Sequence, residues 1–294
     1  MNMYQVISRF FTQADVKSLQ QALLHSTCWS QGQRHVYGQT QQKQLWAKWL
    51  AHVGLVKQAE PVVIDTGAQQ RFVLYQLSNG ERSLSVGAWL YHNHSHIKSL
   101  EIVLDTEELA EFSNQNLEQL KDWWPSPDPL VLSDFDQQCH PHTRHAVPAD
   151  LLTIKGQPVA QLEQWWSIWQ RFNLAAVSHL YAADCDWQYP SQQVRKPADL
   201  ITLVAMMNTR LTRSYAQLEK ILIDASTQKK VAIGWRIEGD MLDNNGNPIR
   251  VRLPITSYLE LSSQGITKER LLFDEAAFQK AFAVASVFSG NGKV

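Results

Sequence analysis

The chain has 294 residues, 44% of them hydrophobic, and 27 Lys+Arg against 28 Asp+Glu. The balance excludes a global basic field for a nucleic-acid backbone, and the length accommodates about two domains of ~100 to 200 residues. No apolar run reaches the ~20 residues of a membrane-crossing helix, and the opening Met1–Arg9 lacks the basic start and apolar core of a leader. A soluble cytoplasmic protein is expected, with no membrane and no nucleic-acid partner. Cys28, Cys139 and Cys185 are odd in number and far apart, and form neither a disulfide framework nor a metal knuckle. The 11 Trp stand out, because an indole suits both a core and the wall of a partly wet cavity.

In chain order, Ile7-Ser8-Arg9-Phe10-Phe11 and then Val16, Leu19, Leu23 and Leu24 carry helical spacing and lead to Cys28-Trp29. A polar loop over 30–39, a helix over 41–52 and strands at 62–64, 70–77, 82–91 and 97–104 follow, with Asn79-Gly80 as a hairpin turn. Asp105 opens a short helix to Phe112. A Pro-dense stretch from Pro125 to Gly156 reads as a linker.

The order then repeats. Trp165-Trp166-Ser167-Ile168-Trp169 and a helix over 174–183 lead to Cys185-Asp186-Trp187, and a polar loop and a helix over 197–213 come next. Strands at 218–223, 230–238, 249–261 and 266–273 precede a closing helix from Asp274. Helices first and an antiparallel sheet afterwards predict an α+β domain with its helices on one sheet face, twice in series: 1–112, a linker over 113–156, and 157–290.

Leu180-Tyr181-Ala182-Ala183-Asp184-Cys185-Asp186-Trp187-Gln188-Tyr189-Pro190 resembles the segment that ends the second helix in the nuclear transport factor 2-like superfamily, which includes SnoaL-like polyketide cyclases and ketosteroid isomerases. Ser257 to Leu261 and Gln264 to Thr267 are similar to that family's closing hairpin. The resemblance spans 155–285 and, in a shortened form around Leu24 to Trp29, 1–112. It implies tandem cone-shaped domains, each enclosing an apolar pocket, the first degenerate. The isomerases' helix tyrosine, strand acid and loop aspartate fall on Trp165, Ser257 and Tyr189, none of which supplies a resting carboxylate base.

Candidate catalytic groups are therefore His179 near the end of the second helix, Asp184 and Tyr189. Strand alternation puts Ser257 as the one polar group on the face of Val251, Leu253, Ile255 and Leu259. Trp169, Trp187, Met206, Trp235 and Ser257 are expected to line a pocket for an apolar or aromatic small molecule. His92 to His96 and Cys139 to His145 have the wrong spacing for the common structural zinc sites, so no metal and no cofactor is assigned. Gly-rich phosphate loops and the Gly-x-Ser-x-Gly elbow are missing.

Two functions remain. One is a SnoaL-like cyclase, isomerase or dehydratase; the other is a non-catalytic binding or protein-interaction module. The polar strand faces, Arg250, Arg252, Tyr258 and Glu260 against Arg71, Arg82, Glu101 and Trp89, suit either a homodimer or an intramolecular pseudo-dimer. A pocket containing a desolvated carboxylate or a His with a shifted pKa would favour the enzyme, and a sealed, side-chain-filled cone would leave only the interaction role.

Overall fold

Apolar residues three and four apart build the first helix. In α1 (Met3–Gln13) Met3, Val6, Ile7, Phe10 and Phe11 are buried on one stripe, and the helix stops at Ala14, whose φ of 53° is left-handed. Asp15 caps α2 (Val16–Ala22) by accepting from the Ser18 amide at 3.0 Å. The computed structural model describes residues 3–31, 34–56, 58–66, 69–93, 96–123, 153–154, 157–190, 197–242 and 248–274.

The first half continues as β1 (Leu23–Gln31), β2 (Arg34–Tyr37), α3 (Gly38–Val53), β3 (Gln58–Asp65), β4 (Gln70–Ser78), β5 (Ser83–His92) and β6 (Ile97–Val103). The six strands form one sheet in the order β2-β1-β6-β5-β4-β3, with β1 parallel to β6 and the other pairs antiparallel. Asn79 makes the β4–β5 turn as expected, its Oδ1 accepting from the amides of Glu81 and Arg82 at 3.0 and 2.9 Å. Asp105 caps α4 (Thr106–Phe112), and a capping box of Asn116 and Gln119 opens α5 (Leu117–Lys121). Leu120 and Trp123 join the core of Phe10, Trp29, Trp46, Trp49 and Leu100, past the expected domain end at 112.

The second half opens with a two-stranded ribbon, β7 (Thr153–Ile154) and β8 (Gln157–Pro158). Then come α6 (Ala160–Arg171), a 3-10 turn at Leu174–Ala176, α7 (Val177–Leu180), β9 (Tyr181–Gln188) and α8 (Pro197–Arg210). The long strands β10 (Thr212–Ile223), β11 (Lys230–Leu242), β12 (Pro248–Ser262) and β13 (Gly265–Leu272) complete a sheet of order β10-β11-β12-β13-β9. The fold class is α+β, with helices and two mixed sheets. By its internal contacts the chain divides into two compact units, Met1–Arg144 with Leu222–Ala232, and His145–Ile221 with Ile233–Val294.

The repeat is visible in the backbone. Ala14 and Phe172, both left-handed at a helix end, stand as far apart in sequence as Leu23 and Tyr181, or Trp29 and Trp187. The parallel pairs slip at the same place: Leu23 faces Ile97 and Cys28 faces Ser99, while Tyr181 faces Ile266 and Asp186 faces Lys268. Trp29 therefore matches Trp187, whereas Cys28 matches Asp186 rather than Cys185.

The structure corrects one reading twice. The second helix of each half ends at Ala22 and Leu180, and the residues that follow are strands, not helix or loop. Isolated periodicity cannot reveal this, because β9 exists only by pairing alongside β13. The closing helix from Asp274 lies almost wholly outside the described residues. On the polar face of the second sheet, Arg250 bridges Glu238 at 3.3 Å and Asp240 at 3.0 Å, and Arg236 bridges Glu219 and Glu238. Tyr258, expected on that face, is buried and its hydroxyl donates to Glu260 at 2.6 Å.

Gly265 starts β13 with a φ of +119°, and a Cβ there would stand 2.4 Å from the Leu180 carbonyl oxygen. Gly38 also has positive φ, but nothing lies within 4 Å of its would-be Cβ. Gly265→Ala is expected to cost about 2 kcal/mol or more, from strain plus a backbone clash, and Gly38→Ala about 1 kcal/mol from strain alone. Urea unfolding of the two variants checks the order.

Candidate functional site

Strand β13 alternates: Glu269 and Leu271 share one face, and Lys268 and Arg270 the other. The first face is the core, and Glu269 is fully buried in it. Its Oε2 accepts from the Tyr181 hydroxyl at 2.5 Å and its Oε1 from Trp165 Nε1 at 3.0 Å. Trp187 stands opposite Glu269 on β9; its indole favours the charged carboxylate, although its Nε1 finds no acceptor in hydrogen-bond geometry among the described residues. Helix α6 supplies Trp165, and β9 supplies Tyr181 and Trp187, so one carboxylate joins three elements.

Burial pushes the Glu269 carboxyl up to about 7, against the opposing pull of Tyr181, Trp165 and Trp187. The same burial, with Glu269 close by, raises the Tyr181 hydroxyl well above its ordinary value and pushes the Cys185 thiol up to about 12. The cations of β13 are engaged elsewhere. Arg270 pairs with the Asp186 carboxylate and donates to its carbonyl at 2.8 Å, and Lys268 lies 3.8 Å from the same carboxylate. Glu269 thus rests on neutral donors, with its proton in balance near neutral pH.

Around it lies an indole cluster. Trp165 meets Trp169 at 6.5 Å between centroids and Trp235 at 5.9 Å, and Trp169 meets Trp235 at 4.6 Å. Trp235 Nε1 donates to Ser257 Oγ at 3.0 Å. Four of the expected lining residues, Trp169, Trp187, Trp235 and Ser257, are buried in this half. The side chain of Met206 lies outside the described residues. Tyr189 is half-buried beside Trp187. His179 and Asp184 are exposed.

Sequence reasoning missed Glu269, Tyr181 and Trp165 as a constellation. The signal for Glu269 was available: an acid two residues from Leu271 and four from Phe273 lies on the apolar face of its strand. Tyr181 carried no such signal while it was read as helical. The expected strand acid fell on Ser257, whereas the acid stands on the next strand, where Ser257 faces Leu271 and Leu259 faces Glu269.

The first half has the same positions without the chemistry. By the shared offsets, Ile7 takes the place of Trp165, Leu23 that of Tyr181 and Leu100 that of Glu269; all three are buried. Trp29, in the place of Trp187, keeps its partner's identity. Of the histidine clusters, His92 is buried with Nδ1 2.9 Å from the Asn93 carbonyl. His94 and the residues 139–145 lie outside the described residues. Among the described residues no three metal-ligating side chains gather, and no helix is long and apolar enough to cross a membrane.

No family model matches the chain, and no curated protein matches it. Solved structures do. A protein described as a SnoaL-like polyketide cyclase from Jannaschia sp. CCS1 is 12% identical over 43% of this chain and 92% of its own, with a TM-score of 0.35. An NTF2-like protein from Burkholderia pseudomallei K96243 is 12% identical over 41% and 92%, at 0.34. An LEH-like epoxide hydrolase of M. tuberculosis is 18% identical over 42% and 86%, at 0.32. Each covers about two-fifths of this chain. These are likenesses of fold, and the chemistry of the site is argued from its own residues.

The raised carboxyl sets a pH dependence of stability. Glu269 binds its proton more tightly folded, at about 7, than at its ordinary 4.5, so its contribution is fully present below about pH 4.5 and is lost as pH rises through 7. The full swing is on the order of 3 kcal/mol. Glu269→Gln, which mimics the protonated form, is expected to match the wild type near pH 4.5 and exceed it by about 3 kcal/mol at pH 8. Urea midpoints at the two pH values measure the difference.

Proposed function

We propose that the second half binds a small molecule with an apolar or aromatic body and moves a proton on it through Glu269. The observation that carries this reading is a fully buried carboxylate poised near neutrality, held by a tyrosine hydroxyl and an indole N–H, in the half whose counterpart has hydrocarbon at the same three positions. A general base works best with its pKa near the working pH. In the charged form an Oε of Glu269 takes a proton from an acidic C–H of the ligand, the C–H electron pair moving into an adjacent carbonyl; returning the proton to another carbon completes an isomerisation. Tyr181 and Trp165 hold the carboxylate in place, and the apolar walls keep its charge desolvated. Cyclisation and dehydration use the same proton transfer. The first half, lacking these groups, serves as the structural partner of the pair.

A thermal-shift screen of the full chain against polycyclic, aromatic, steroid-like and fatty carbonyl compounds finds the ligands; one at 100 times its Kd adds about 2.7 kcal/mol of stability. Ligands that bind are then followed in D2O. Wild type is expected to exchange the ligand's acidic hydrogen with an apparent pKa of about 7, and Glu269→Gln to lose at least 100-fold in rate while still binding. Exchange that survives in Glu269→Gln, or binding without exchange, overturns the catalytic reading in favour of a binding module.

A further inference from the structure

Glu269 is fully buried, so a covering element must move before solvent can reach it. Helix α6, β12 and β9 bear on it. Helix α6 is fixed by the indole cluster of Trp165, Trp169 and Trp235, and β12 pairs with β13 without a break from Thr256 to Glu260. Strand β9 is different. Among the described residues it is an edge strand, and its pairing jumps from Tyr181 against Ile266 to Asp186 against Lys268. Residues 182–185 therefore bulge from the ladder, between Tyr181 and Trp187, whose side chains turn to Glu269. Ala183 and Asp184 are exposed, while Cys185 is buried, and burial and the nearby Glu269 both raise its thiol. The bulge thus runs from solvent to the neighbourhood of the acid.

The first half has the same bulge with a fastening. Its β1–β6 pairing jumps from Leu23 against Ile97 to Cys28 against Ser99, and by the shared offsets Thr27 stands where Cys185 stands in the second half. Thr27 Oγ1 donates to the Ile97 carbonyl at 2.7 Å and accepts from the Leu24 amide at 2.8 Å. The Thr27 carbonyl accepts from Gln42 Nε2 at 2.6 Å, and both residues are buried. One hydroxyl so closes the bulge on itself and ties it to the neighbouring strand. A thiol is a weak donor and a weak acceptor, and that of Cys185 makes no hydrogen bond among the described residues. The fastened bulge covers Leu100, and the unfastened one covers the carboxylate.

We propose that residues 182–185 form a gate that lifts from β13 and opens Glu269 to solvent, whereas Thr27 fastens the corresponding bulge of the first half shut. The inference rests on the reading of Glu269 as a proton-transfer group for its purpose, but the motion itself does not depend on that reading. An edge segment outside the ladder opens without breaking strand pairs, so its opening is local and separate from global unfolding.

Hydrogen exchange of the full chain, read by mass spectrometry on peptides covering 23–29 and 181–187, tests the gate with D2O as the only probe. Corrected for intrinsic rates, the amides of 182–185 are expected to exchange about tenfold faster than those of 24–27, or more. Cys185→Thr, which supplies the fastening, is expected to slow 182–185 about tenfold, and Thr27→Cys to speed 24–27 by a similar factor, the effect of one or two buried hydrogen bonds. If either variant does not fold, iodoacetamide decides on wild type: Cys185 is expected to react about tenfold faster than Cys28, which is also buried. Bulge exchange or Cys185 labelling no faster than global unfolding overturns the gate, as does a folded Cys185→Thr that leaves 182–185 unchanged. Slowing in Cys185→Thr with no ligand proton exchange by wild type defeats proton transfer alone, and ligand exchange by wild type with an unmoving bulge defeats the gate alone.

Discussion

The second half is organised around a carboxylate with no cation. Placing Glu269 in the core carries a desolvation cost that charge-neutral donors offset only in part, and the remainder appears as a carboxyl whose proton is balanced near pH 7. Each donor constrains an element. Trp165 fixes the rotation of α6, because its N–H must face β13. Tyr181 fixes the point at which α7 gives way to β9, because its hydroxyl must reach the same carboxylate from the first residue of the strand. The close pass of Gly265 beneath the Leu180 carbonyl belongs to that junction too.

The first half supplies an internal control for this interaction. It reproduces the left-handed helix end, the slipped parallel pair and the strand order around the shared Trp. Yet Ile7, Leu23 and Leu100 stand where Trp165, Tyr181 and Glu269 stand in the second. The fold therefore forms without the polar cluster. Exchanging a buried polar group for well-packed hydrocarbon is commonly neutral or stabilising, so stability alone does not account for Glu269. Costly groups retained in a core that could be apolar mark sites where function outweighs stability.

Much of the architecture was legible because it is periodic. The amphipathic stripe of α1, the Asn79-Gly80 turn, the Asp105 cap and the repetition of the two halves all follow from local spacing. Tyr181 to Gln188 was not legible, since a strand that pairs only with a partner some eighty residues later leaves no local sign apart from its side chains. With Tyr181 read as helical, its place on the strand face that meets Glu269 is hidden, while His179 and Asp184, the expected candidates, are exposed. Trp169, Trp235 and Ser257 lie in elements whose helical spacing or alternation is plain in the sequence, whereas Trp187 lies in β9, whose strand character is not.

The charge state of Glu269 is finally a matter of register. Lys268 and Arg270 flank it in sequence, and either in contact would hold its carboxyl in the ordinary ionised range. The pleat sends both to the opposite face, where Asp186 receives them. A slip of one residue would exchange the faces, burying two cations and exposing the acid. Two irregularities coincide just before this stretch, one between Glu260 and Leu261 in the β12–β13 pairing and one between Ile266 and Lys268 in the β13–β9 pairing. They set the register in which Glu269 faces Trp187 and the cations face Asp186. The same slip in the first half puts Leu100 opposite Trp29, so the backbone register that isolates the acid is present in both halves, and the side chain at one strand position decides which half buries a carboxylate there.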